Sequence, residues 1–171
     1  AILSAMINAL SCYHPDVMQM EDEANFTSAA ARLMSKVRTI AAAAYKTSIG
    51  QPIIYPNSDF DYCSNFLHMM FSLPYAEHEP DPDVVQALNL ILILHADHEQ
   101  NCSTSTVRMV GSSGANLFAS CAAGVCALWG PLHGGANVRV IRQLDEIHHS
   151  GISVKDYIDN LKKTKDKLFG F

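Results

Sequence analysis

Two polar runs carry the residues that could do chemistry. The first is Leu94-His95-Ala96-Asp97-His98-Glu99-Gln100-Asn101, followed at once by Ser103 to Thr106. The second is Gly130-Pro131-Leu132-His133-Gly134-Gly135-Ala136-Asn137. His95 and His98 are three apart, so on a helix they share a face. That spacing could ligate zinc, but the order H-x-x-H-E is neither H-E-x-x-H nor H-x-x-E-H, and no cysteine or second acidic motif supplies an obvious third ligand. No metal is expected. The same histidines could simply cap the end of an apolar helix. They could also donate hydrogen bonds to a small carboxylate, with Asp97 and Glu99 setting tautomer and orientation. Asn101 and Ser103 are short polar side chains suited to supporting such a site. His133, before two glycines and a helix, lies where backbone can approach a ligand closely. A helix N-terminus opposes a positive ring, and a neutral imidazole N–H could stabilise an enolate or oxyanion. A turn histidine can equally be structural. Gly111-Ser112-Ser113-Gly114 lacks the lysine and the preceding strand of a phosphate loop, and no G-x-S-x-G elbow occurs.

The elements that must position these residues are helical. Apolar residues at helical spacing predict helices over 1–13, 26–45, 62–71, 82–94, 103–110, 115–129, 136–147 and 153–167. Pro15 ends the first, and 18–25 reads as an acidic connector. Residues 48–59 form a loop around Gly50, Pro52 and Pro56, with a short extended piece at Ile53-Ile54-Tyr55. Residues 74–80 form another. His68 reads as a satisfied structural histidine. Asp81 is placed as an N-cap with Pro82 first in its helix. The end of that helix is apolar on nearly all sides and is expected to be buried. Ala119, Ala122, Ala123, Gly124 and Ala127 permit close helix approach. Ser153 and Asp156 predict reciprocal capping of the last helix. With about eight helices and no strand pairing, the class is all-α.

Composition narrows the functions. The chain has 171 residues, 49% apolar and 17% charged, enough for a domain with a real core. A net charge of -5 gives no electrostatic case for nucleic acid or anionic membrane as a partner. Lys162 to Lys167, interrupted by Asp166, reads as a solvated face. The five cysteines form no CxxC pair, and those in the alanine-rich run, Cys121 and Cys126, read as small apolar residues. All five are expected to be reduced thiols in an intracellular protein. No apolar window reaches the length of a bilayer span. Ala1 already sits inside a helical pattern and Phe171 ends abruptly, so 1–171 is expected to be an internal fragment cut at both ends.

Several of these runs together resemble the citrate synthases, of the bacterial type. They are Leu94 to Thr106, Gly111 to Asn116, Leu128 to Asn137, Tyr45-Lys46-x-Ser48-Ile49-Gly50-Gln51-Pro52 and Asn65-Phe66-Leu67-x-Met69-Met70-Phe71. The resemblance covers the whole chain. It implies an all-α, multi-helical fold, with 1–171 a single piece of the catalytic domain made mostly of large-domain helices. It implies an acyltransferase that condenses acetyl-CoA with oxaloacetate and water to citrate and CoA. His133 matches the catalytic histidine that hydrogen-bonds the acetyl thioester oxygen. His98 matches an oxaloacetate-binding histidine, with His95 and Asn101 lining that site and Ser103 supporting it. The second catalytic histidine, in a Gly-His-Arg-Val motif, would follow Phe171, and the base aspartate and substrate arginines would lie beyond. The fragment alone is therefore expected to be inactive. The resemblance further implies no cofactor, since acetyl-CoA is a substrate, and a cytoplasmic bacterial homo-oligomer built from dimers, hexamers included. Tyr13, Arg32 and Lys36 match an NADH-inhibition site of some members, with Tyr75 where a cysteine sometimes stands. The 2-methylcitrate synthases, which use propionyl-CoA, share much of the pattern. A non-catalytic helical interaction module is the reading from another class, and the intact His98 and His133 motifs count against it.

Overall fold

The computed structural model describes residues 1–18, 21–97 and 99–170. Eight α-helices run through them: α1 Ile2–Tyr13, α2 Glu23–Ser48, α3 Tyr62–Phe71, α4 Pro82–Leu94, α5 Cys102–Gly111, α6 Leu117–Ala127, α7 Gly135–Ser150 and α8 Val154–Thr164. The all-α expectation holds. The chain divides into two compact units, 1–126 and 127–171.

In the first unit the core forms where α1, α2 and α6 meet. Ile7, Ala29, Leu33, Phe118 and Ala122 are buried there, with Leu3, Leu10, Val37 and Ile40 packed around them. These are the helical-spacing positions of α1 and α2. Side-chain caps set the helix starts. Asp22 accepts from Asn25 N at 3.0 Å and starts α2 three residues before its alanine-rich pattern. Asp61 accepts from Ser64 N at 2.8 Å, and Asp81 from Asp83 N at 2.8 Å with Pro82 following. Ile53-Ile54-Tyr55 forms no strand.

One buried cation joins three segments of this unit. Lys46, in the last turn of α2, is fully buried. Its Nζ donates to Gln51 Oε1 at 2.7 Å and to the Ser72 carbonyl at 2.5 Å. Ser72 in turn accepts from His78 N through Oγ at 2.8 Å and pairs with His68 Nδ1 at 3.0 Å. His68 is therefore the satisfied buried histidine that the sequence suggests.

Two expectations fail. The end of α4 is not buried: Leu90, Leu92, Ile93 and Leu94 are exposed, Ile93 at 69%. Helix α4 packs against α3, where the Cys63 thiol donates to Asn89 Oδ1 at 3.0 Å. Val85, Leu88 and Ile91 are half-buried, and the remaining apolar positions stay exposed. Apolar composition states a demand for burial, and a packing partner must meet it. Cys126 is exposed, with Sγ 3.0 Å from Ser4 Oγ, rather than packed as a small apolar residue. All five cysteines are free thiols, and burial pushes the Cys121 thiol up. Among the described residues no helix is long and apolar enough to cross a membrane.

The second unit holds α7 and α8. Gly151 ends α7 in the left-handed region (φ 68°), a conformation that glycine reaches without strain. The Ser153 hydroxyl donates to Asp156 Oδ2 at 2.7 Å and accepts from Asp156 N at 3.1 Å, the capping pair expected there. Helix α8 stops at Thr164, short of the expected 167, where Lys165 turns left-handed (φ 56°).

Replacing Lys46 by Met should keep the volume but strand the buried Ser72 carbonyl and release the half-buried Gln51 Oε1. The expected loss is about 1–3 kcal/mol in urea unfolding, mostly from the one buried acceptor left unpaired. Acid sensitivity has a separate source. The Ser64 amide holds the Asp61 carboxyl below the usual carboxylate range. The ionised cap therefore stabilises the fold fully above about pH 4 and loses that effect as pH falls through the lower folded value. Asp61→Asn should keep the cap, leave the neutral-pH melting temperature nearly unchanged and flatten this acid limb, whereas Asp61→Ala should cost about 1 kcal/mol at neutral pH.

Candidate active site

The candidate residues divide between the two units. In the first, His95 is the C-cap of α4. Its backbone N–H reaches the carbonyls of Ile91 and Leu92, each at 3.2 Å, and its Nδ1 lies 2.7 Å from Ile91 O. A carbonyl can only accept, so Nδ1 carries the proton. The helix-capping reading of His95 is thus realised, and the bond orients the ring with Nε2 left outside it.

After His95 the chain turns sharply. Asp97 Oδ1 accepts from Glu99 N at 3.1 Å, and Glu99 adopts φ 54°, which a side chain other than glycine rarely does. His98, the histidine matched to oxaloacetate, lies outside the described residues. Asn101 Oδ1 accepts from Thr104 N at 2.9 Å and caps α5. Its carbonyl oxygen therefore serves the helix.

Ser103 Oγ donates to the Gly124 carbonyl at 3.0 Å, tying α5 to α6. A Cβ on Gly124 would stand 2.6 Å from Val107 Cγ2 and 3.5 Å from the Ser103 carbonyl oxygen. Of the small residues expected to allow close approach, Gly124 makes the approach that brings Ser103 into reach. Among the described residues no group of three or more His, Cys, Asp or Glu side chains is placed to hold a metal ion.

In the second unit, α6 gives way to a run of turns. Gly130 N donates to Ala127 O at 3.4 Å, and the amides of His133 and Gly134 both donate to Gly130 O, at 3.1 and 2.9 Å. Gly134 is then the N-cap of α7, with His133 half-buried just before it. A Cβ on Gly134 would collide with the Leu128 carbonyl oxygen and stand 3.0 Å from its carbon. Glycine is required here by space, since φ is an ordinary -78°. The sequence suggested a glycine that lets backbone meet a ligand. In the structure the chain meets itself, and that contact fixes where His133 leaves the turn. Beside it lies a cavity of about 470 Å³ walled by Leu128, Trp129, Pro131 and Val138, with Arg139 and Arg142 at its edge. Histidine spacing does not announce this cavity; the signal for it is the Leu-Trp pair ahead of a proline turn.

The residues matched to NADH sit at the start of the first unit. Tyr13 and Lys36 are exposed. Arg32 grips Asp16 with both ends of its guanidinium, Nη1 to Oδ1 at 3.0 Å and Nη2 to Oδ2 at 2.9 Å, and Nη1 also lies 3.1 Å from His14 Nδ1. The guanidinium holds the Asp16 carboxyl below its usual range. An anion bound to Arg32 would have to compete with that pair.

Gly134→Ala should cost about 2 kcal/mol or more in urea unfolding, through overpacking against backbone. Gly135→Ala, whose Cβ would meet nothing within 4 Å, should be neutral or mildly stabilising. Equal costs at the two positions would contradict the packing account.

Comparisons with known proteins point to one family. The family model described as citrate synthase, C-terminal domain, matches residues 1–171. Citrate synthase 1 of Mycobacterium tuberculosis, in strains CDC 1551 / Oshkosh and ATCC 25618 / H37Rv, is 49% identical over 172 residues, covering 99% of this chain and 40% of the relative. The crystal structure of citrate synthase from Pyrobaculum aerophilum superposes with a TM-score of 0.71 at 35% identity, covering 85% of this chain and 37% of that one. That of citrate synthase from Thermotoga maritima MSB8 gives 0.65 at 26% identity, covering 99% and 43%. The chain therefore spans about 40% of the length of the curated relatives it matches.

Proposed function

The chain belongs to the citrate synthase family, and on that premise we propose that it carries part of the site that condenses acetyl-CoA with oxaloacetate and water to give citrate and CoA. The observation that carries this reading is the turn at His133. Its main chain is fixed by two amide bonds to Gly130 and by the Gly134–Leu128 approach. In this reading the His133 ring N–H hydrogen-bonds the thioester oxygen of acetyl-CoA. When a base removes a methyl proton, negative charge grows on that oxygen, and a donor already in place stabilises it without reorganising. The enol(ate) carbon then attacks the ketone carbon of oxaloacetate, and water cleaves the resulting citryl thioester. His95, His98 and Asn101 are assigned to oxaloacetate. Ser103 supports them by holding α5 on α6.

The base and the substrate arginines are assigned to sequence following Phe171, so residues 1–171 alone should not turn over. The protein is read as a cytoplasmic homo-oligomer of dimers that needs no cofactor. Tyr13, Arg32 and Lys36 are assigned to an NADH-regulatory surface that forms when Arg32 leaves Asp16. The names of the relatives favour acetyl-CoA over propionyl-CoA as donor.

The test is kcat/KM for both donors with oxaloacetate on the full-length protein, with residues 1–171 assayed alongside. Acetyl-CoA preference, with no turnover by 1–171, is the expected result. Propionyl-CoA preference would move the assignment to 2-methylcitrate synthesis, and condensation by 1–171 alone would overturn the division of the site.

A further inference from the structure

A second cavity of about 220 Å³ lies wholly within the second unit, walled by α7, α8 and the segment after α8. Arg139, Arg142, Gln143 and Glu146 enter it from one face of α7, at the i, i+3, i+4, i+7 spacing. Tyr157 comes from α8, and Lys167 and Phe169 from the segment beyond. Three cations face one carboxylate, in a chain whose net charge is -5. Among the described residues none of the three cations has an ion-pair partner. Arg139 stacks on the Phe169 ring, its Cζ 5.3 Å from the centroid, which holds the guanidinium at the wall.

Exposed arginines on a helix are ordinarily just solvated. Gln143 sets this group apart. It is only 8% exposed. Its Oε1 accepts the Phe169 amide at 3.3 Å. That amide N–H needs an acceptor, so the carboxamide is oriented and its NH2 is left without a partner among the described residues. The NH2 is not sealed in the core, because the one such buried atom without a partner among them is Arg38 Nε. A nearly buried side-chain amide with unspent donors therefore lines a cavity whose other walls bring two arginines, a lysine, a tyrosine and one glutamate. Such a wall matches a ligand that is nearly all acceptor and carries more than one negative charge. The volume lies below the range of about 300–1,000 Å³ usual for drug-sized ligands, which argues for a small ion or the end of a larger molecule.

We propose that this cavity binds a small phosphate-class oxyanion, either free phosphate or a phosphomonoester, through Arg139, Arg142, Gln143 and Lys167. The site goes beyond the condensation reading and uses none of the residues assigned to it, although Arg139 and Arg142 also line the cavity beside His133. The experiment is isothermal titration of the full-length protein with sodium phosphate at neutral pH, against sodium chloride at matched ionic strength. Phosphoserine forms a second arm. Saturable binding of phosphate above the chloride response is expected, weakened roughly tenfold in Arg142→Gln by loss of a charge-assisted donor pair. Lys167→Gln, in the segment after α8, should weaken it several-fold. Thermal melts by circular dichroism show whether each variant is folded, and the lysine variant decides if the arginine variant is not. Binding of phosphate but not phosphoserine assigns the site to the free ion; binding of both assigns it to the phosphoryl group. A phosphate response no greater than chloride, or unchanged affinity in the folded variants, would overturn the proposal.

Discussion

In each unit a missing Cβ lets two stretches of chain come within contact distance, and a candidate site residue hangs from each place. At Gly124 the absent side chain lets α6 lie on Val107, which puts a carbonyl within reach of Ser103. At Gly134 it lets the start of α7 close onto the Leu128 carbonyl, which fixes the main chain from which His133 departs. Packed interiors deform little, so such contacts transmit position well. A donor that must already be in place when charge develops needs that kind of mounting, because its value comes from not having to reorganise.

Polar groups elsewhere in the first unit follow the same economy. Lys46 is buried, yet its ammonium is hydrogen-bonded to the loop after α2 and to the end of α3. Ser72 carries the network onward to His68 and His78. A buried charge is tolerable only when hydrogen-bonded, and here the pairing also ties down the loop after α2 and the end of α3. Arg32 is used similarly at the surface, where its grip on Asp16 pins Pro15–Val17, a single 3-10 turn between α1 and α2.

Much of this was legible in the sequence because it rests on local chemistry. Asp81 before Pro82, Ser153 before Asp156 and the bounds of α3 follow from capping and periodicity, which act within a turn or two. The early start of α2 escaped because Asp22 caps it ahead of its apolar pattern. What stayed hidden depends on distant partners. The apolar end of α4 reads as core, yet Leu90, Leu92, Ile93 and Leu94 are exposed. Lys46 reads as one more basic residue near a helix end, and only the fold shows that it is fully buried. The two histidine runs were readable as candidates, but the role of Gly134 required knowing that Leu128 comes back to meet it. Gln143 gave no signal at all, since its place in the cationic cavity comes from the return of the chain at Phe169.

The central claim is that His133 donates to the oxygen on which charge develops. The most direct test is His133→Ala in the full-length protein, measuring citrate formation at saturating substrates together with KM for oxaloacetate. The account predicts that kcat falls by about 10²–10³-fold, the usual cost of one such donor, while KM for oxaloacetate moves little. A kcat close to that of the parent, in a variant whose thermal melt is unchanged, would contradict it.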